Sequence, residues 1–178
     1  MGTGVNPRDL FRLNVGFIIH ENVGYYRDFP FEVPTVSLPP DLELINLMGV
    51  VRVTRAAQGL LVRVRMRAEV MSECVRCLTD FYQPLEIDFT ELYAFNQNSV
   101  TESGLLVPES GKIDLTTFIR EEMLLAIPIS PLCKTECKGL CPTCGGNLNE
   151  TICNHEDETI DSRLAILKSL LEKNQDDS

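Results

Sequence analysis

The sequence predicts an α+β protein: an antiparallel β-sheet or small barrel over residues 1–95, then a helix, a cysteine-rich knuckle and a second helix within residues 113–178. Three observations carry this. LLVRVRMRAEVM (60–71) alternates apolar and polar residues without a break, the period-two signature of a half-buried strand. DLTTFIREEMLLAI (114–127) instead repeats its apolar residues at helical spacing, up to Pro128. Finally, five of the seven cysteines fall between Cys133 and Cys153.

Along the chain, FRLNVGFIIH (11–20) reads as a first strand. FPFEVPTVSLPP (29–40) is extended but broken by prolines, which lack the N–H that a central strand donates, so it suits a sheet edge or crossing segment. LELINLMGVVRVTR (42–55) is a further strand, and AAQG (56–59) a turn. In 60–71, Val62, Val64, Met66, Ala68 and Val70 share one face, with Arg63, Arg65, Arg67 and Glu69 on the other. LEIDFTELYAF (85–95) repeats the pattern, with Leu85, Ile87 and Phe89 inward and Glu86, Asp88 and Thr90 outward. Residues 1–95 therefore form the β-rich core.

Residues 96–112 carry turn-formers and no periodicity, and are expected to be a linker or surface loop. Asp114 is placed to N-cap the helix, whose Leu115, Phe118, Ile119, Glu122 and Met123 share one face. A second amphipathic helix is expected over 160–173, with Leu164, Leu167, Leu170 and Leu171 on its apolar side.

Composition bounds the setting. With 44% hydrophobic and 24% charged residues the chain is ordinary for a globular protein. No run approaches the roughly 18 apolar residues of a membrane span, and the N-terminus lacks a secretory pattern, so the expectation is a cytoplasmic protein with no membrane partner. Cytosolic thiols are kept reduced, and seven is an odd number, so the cysteine cluster points to a metal before it points to disulfides.

CPTCG has the form a tetrahedral zinc site needs. Cys141 and Cys144 are two residues apart, and Gly145 lets the chain turn so that backbone N–H groups face the sulfurs. This is a zinc knuckle, structural in role. Its expected ligands are Cys141 and Cys144, then Cys153 and Cys137, then Cys133, with His155 an alternative. Cys74 and Cys77 form a second pair at an expected β-turn. Three readings stay open for it: a share in a split zinc ribbon, a redox pair, or two small buried residues.

The net charge of −10 opposes non-specific attraction to nucleic acid, so any RNA contact must be local. Arg63, Arg65 and Arg67 form the candidate RNA-binding stripe; cross-strand ion pairs with Glu86 and Asp88 are its competing explanation. Catalysis has little support. CPTC lacks the upstream His-x-Glu of a zinc deaminase, neither His20 nor His155 lies in an HExxH, and no glycine-rich phosphate loop is present. No enzyme and no small-molecule substrate are expected.

Taken together, CVRCL, IDLTTFIREEMLLAIPISPLC, CKGLCPTCGGNLN, Cys153 and DSRLAILKSLL resemble the YceD family of large ribosomal RNA subunit accumulation proteins, over about the last 110 residues. The resemblance implies a non-enzymatic, cytoplasmic factor for accumulation or processing of large-subunit ribosomal RNA. Its partner would be that RNA or its precursor particle, directly or through a protein. Some members keep the CxxC pair without the C-terminal cluster, which implies that Cys74 and Cys77 stand apart from an added zinc module. Two other functions compete: a zinc-stabilised protein-binding adaptor with no ribosomal role, and a thiol redox protein using Cys74 and Cys77.

Overall fold

The computed structural model describes residues 10–155; the helix expected over 160–173 lies outside the described residues. Its centre is an open, four-stranded antiparallel meander of β2 (Tyr26–Leu38), β3 (Leu42–Arg55), β4 (Gly59–Glu73) and β5 (Asp80–Ala94), in that spatial order. β2 and β5 are its two edges, so the sheet does not close into a barrel. The proline-bearing β2 lies at an edge as its composition requires. β4 and β5 pair continuously from Gly59 opposite Ala94 to Glu73 opposite Asp80.

The alternation of β4 translates directly into burial: Val62, Val64, Met66, Ala68 and Val70 are buried, while Arg63, Arg65 and Arg67 face outward. β3 is less simple. Leu42 and Leu44 face the core, then the phase slips, and Leu47, Val51 and Val53 continue the buried row. A register shift between Ile45 and Met48 accounts for the slip, with Asn46 in the left-handed region at φ 53°. One extra residue returns the apolar side chains to the core face that an unbroken ladder would have turned them from.

Segment 11–20 departs from the expected strand. β1 (Arg12–Asn14) is short, and α1 (Gly16–Ile19) is a single helical turn. The Asn14 side chain accepts the Gly16 N–H at 3.2 Å, a local bond that competes with strand continuation and turns the chain. β1 pairs antiparallel with β6 (Lys112–Asp114). α2 (Thr116–Ala126) follows; its N-cap is Leu115, one residue after the expected Asp114, whose Oδ1 accepts the Thr116 N–H at 3.0 Å, and Ile127 is extended before Pro128. Of its expected apolar face, Leu115, Ile119 and Met123 are buried.

These elements cover one face of the meander. Phe11, Val15, Ile18, Ile113, Leu115, Ile119 and Met123 join Val62, Val64 and Leu85 in one buried cluster. The loop between β5 and β6 is tied to this body, since the Ala94 N–H donates to the Leu105 carbonyl at 3.0 Å and Val107 N–H to the Ala94 carbonyl at 2.9 Å. Among the described residues, no helix is long and apolar enough to cross a membrane.

Candidate metal centres

The β4–β5 turn carries Cys74 and Cys77. It is closed by the Leu78 N–H donating to the Cys74 carbonyl at 2.9 Å and the Cys74 N–H donating to the Thr79 carbonyl at 3.0 Å, with Leu78 at φ 55°. This curl brings both sulfurs to one side. After α2 the chain returns across the turn, where the Val75 N–H donates to the Pro131 carbonyl at 3.0 Å. That crossing delivers Cys133 and Cys137.

The resulting sulfur positions are close to tetrahedral spacing. Cys77 Sγ lies 3.6 Å from Cys133 Sγ, and Cys74 Sγ lies 3.8 Å from Cys137 Sγ. All four sulfurs lie within 4.8 Å of one another. A tetrahedron with Zn–S bonds of about 2.3 Å has S···S edges of about 3.8 Å. A disulfide would need about 2.05 Å. Cys74, Cys77 and Cys137 are buried, with Phe81, Leu132 and Leu140 packed around them.

Burial pushes the Cys74 thiol up, but backbone N–H groups of Cys133, Cys77 and Arg76 directed at its sulfur outweigh this and bring it down to about 6. Cys133 is pushed up to about 12, by burial and then by bonding to its neighbours' sulfurs. For Cys137 burial again acts upward, and hydrogen bonds led by that from Asn149 bring the net shift below the usual thiol value. One group thus mixes ready thiolates with a thiol that ionises only when a cation replaces its proton.

A second group follows at once. Leu140 bridges Asn147 antiparallel, and between them the Cys141 N–H donates to the Gly146 carbonyl at 2.8 Å and Gly145 N–H to the Cys141 carbonyl at 2.9 Å. Gly145 sits at φ 71°, so the knuckle turns where a side chain would strain it. Cys144 Sγ is 3.6 Å from Cys153 Sγ, and the donors of Cys141, Cys144, Cys153 and His155 lie within 4.8 Å of one another. Backbone N–H groups of Cys144 and Thr143 bring Cys141 down to about 6, whereas bonding to Cys144, followed by burial, raises Cys153 to about 11.

The five cysteines from Cys133 to Cys153 do not gather at one point. Cys133 and Cys137 join Cys74 and Cys77, while Cys141, Cys144 and Cys153 are completed by His155. The resemblance weighs against a site shared by Cys74 and Cys77 with the C-terminal cysteines; in the fold the chain leaving α2 crosses the β4–β5 turn and brings Cys133 and Cys137 beside them. A signal for it existed: seven cysteines and His155 make eight donors, enough for two tetrahedra.

The arginine stripe lies elsewhere, on the outer face of the sheet. Arg63 forms a two-pronged ion pair with Asp88, Nε to Oδ1 at 2.9 Å and Nη2 to Oδ2 at 2.8 Å. Arg65 approaches the same carboxylate at 3.5 Å, and Arg67 Nη2 contacts Met48 Sδ at 2.8 Å. The Arg63 hydrogen bond holds the Asp88 carboxyl below its usual range.

A family model described as large ribosomal RNA subunit accumulation protein YceD matches residues 62–171, which takes in both cysteine groups. An uncharacterised protein of Mycobacterium tuberculosis is 35% identical over 126 residues, covering 67% of this chain and 59% of its own. One from Bacillus subtilis is 33% identical over 111 residues, 61% and 63% of the two chains. The Arabidopsis thaliana large ribosomal RNA subunit accumulation protein YCED homolog 1, chloroplastic, is 38% identical over 68 residues, 38% of this chain and 21% of its own. The match thus spans under two thirds of the length of these curated relatives. No solved structure matches.

Proposed function

The chain belongs to the YceD family of large ribosomal RNA subunit accumulation proteins, and from this premise we propose that it is a non-enzymatic ribosome-biogenesis factor. Its role is in the accumulation or processing of large-subunit ribosomal RNA, in the cytoplasm, acting on that RNA or its precursor particle directly or through a protein. The observation that carries the reading is the family match across both cysteine groups, joined by the name of the Arabidopsis relative.

Within that role, both cysteine groups are assigned to structural zinc. Donor chemistry supports this: four thiolates in one group, three thiolates and an imidazole in the other, are sets that zinc favours. Zinc supplies no reaction here; it ties the returning chain to the β4–β5 turn and closes the knuckle. Burial of Cys74 argues against a redox pair, because a thiolate that solvent does not reach cannot attack a partner's disulfide.

The test is a sucrose-gradient profile of ribosomal particles, with large-subunit RNA levels, in cells depleted of the protein. Loss of mature large subunits or a build-up of their precursors is expected. A normal profile would leave a zinc-stabilised adaptor as the better account.

A further inference from the structure

The two cysteine groups are connected by more than chain continuity. Asn149 Nδ2 donates to Cys137 Sγ at 3.4 Å, while Asn149 Oδ1 accepts the Lys138 N–H at 3.0 Å. Asn147 Oδ1 fixes the same amide, accepting the Asn149 N–H at 3.0 Å and Nδ2 at 2.8 Å. Every polar atom of the Asn149 carboxamide is therefore committed, and its orientation follows from the Lys138 N–H, which only an oxygen can accept. Asn147 Nδ2 in turn reaches Thr79 Oγ1 at 3.4 Å, beside Cys77.

Both asparagines stand immediately after the knuckle that carries Cys141 and Cys144. The Leu148 N–H donates to the Gly139 carbonyl at 2.9 Å, and the Leu140 N–H to the Arg76 carbonyl at 3.1 Å, so the hairpin is laid against the Cys74–Cys77 turn. Whatever orders the knuckle delivers Asn149 to Cys137.

We propose that Asn149 is a positioning residue that couples the two centres, so that filling the Cys141, Cys144, Cys153, His155 group tightens metal binding at the Cys74, Cys77, Cys133, Cys137 group. This rests on the zinc reading above and deepens it. An N–H directed at a metal-bound thiolate spreads its charge and holds its orientation, and losing such an outer partner typically weakens metal binding about 10- to 100-fold. The coupling is reciprocal, so the four-thiolate centre favours metal at the second to the same degree.

The test is titration of the metal-free full chain with Co(II), whose absorption separates four-thiolate from three-thiolate-one-imidazole coordination, followed by competition with a chelator. Wild type is expected to bind at both groups. Cys144→Ser, at an exposed position, should retain the four-thiolate spectrum with affinity about ten-fold weaker; Cys153→Ser should do the same. Asn149→Ala should reproduce that loss, and combining it with Cys144→Ser should add little. Asn149→Asp keeps the acceptor for Lys138 but removes the donor to sulfur, and should shift the sulfur-to-cobalt charge-transfer band, which a packing defect would leave in place. Unchanged four-thiolate affinity in Cys144→Ser, or losses that multiply in the double variant, would overturn the coupling while wild type still binds normally. A wild type with no four-thiolate spectrum overturns the zinc reading and this proposal together.

Discussion

Cys77 Sγ lies 3.6 Å from Cys133 Sγ, although 56 positions separate them in the chain. The contact joins the tip of the β4–β5 hairpin to the segment leaving α2, and under the zinc proposal a metal held there would act as a long-range clip. Closing a loop of that length without a clip carries a chain-entropy cost that a bound ion offsets.

Cys77→Ser should therefore release the segment from Ile129 to Leu140 while leaving the meander folded. Protease cleavage within that segment and loss of about one equivalent of zinc, measured by elemental analysis, are the expected results. Retention of full zinc and full protease resistance would show that the clip is not made there.

The metal-free protein should have a stability maximum near pH 9. Cys74 and Cys141 sit at about 6 in the fold against an ordinary 9.0, so their contribution is complete above 9 and is lost as pH falls through 6. Cys133 and Cys153, raised to about 12 and 11, act with the opposite sign: the folded state keeps protons the unfolded chain has released, and stability falls above 9. Thermal melts of chelator-treated protein from pH 6 to 10 would reveal the maximum or its absence.

Zinc binding at pH 7.4 should release protons, Cys133 and Cys153 among their sources, since both remain thiols until the cation arrives. Calorimetry in buffers of different ionisation enthalpy measures the number directly. A buffer-independent heat would contradict the assignment of these cysteines as ligands.

Gly49→Ala should destabilise the sheet by about 1–3 kcal/mol, the usual cost of overpacking. A Cβ at Gly49 would collide with the Arg65 carbonyl oxygen and lie 2.7 Å from Met66 Cα on β4. Denaturant melts would check this, and an unchanged midpoint would mean that β3 and β4 separate freely.

For the arginine stripe, Arg63→Glu with Arg65→Glu should reduce RNA crosslinking if this face meets RNA. Asp88→Asn makes the sharper test, because it removes the carboxylate that Arg63 grips and Arg65 approaches, and should increase crosslinking. Crosslinking indifferent to all three changes would leave these residues as cross-strand ion pairs, each contributing little at an exposed site.

Local pattern was a sound guide wherever local geometry settles the outcome. The strict alternation of 60–71 became the central strand β4, because a strand's side chains alternate faces whatever lies beyond them. The helical spacing after Asp114 became α2, and the knuckle at Cys141 and Cys144 turns at Gly145 as its composition requires. The same reasoning misled at 11–20, where the side chain of Asn14 diverts the chain after three residues of strand. It was also silent on the bulge at Asn46, which shows only as a shifted apolar row.

The residue types at each candidate centre, and the chemistry they favour, were thus legible in the chain alone, since thiol and imidazole donors at short spacing carry their coordination preference with them. Their partition was not. Which cysteines meet depends on the β4–β5 register, which sets where the Cys74–Cys77 turn stands. It depends equally on the path after Pro128, which carries Cys133 and Cys137 back across that turn. Both are consequences of packing between segments far apart in sequence, and short-range periodicity holds no information about them.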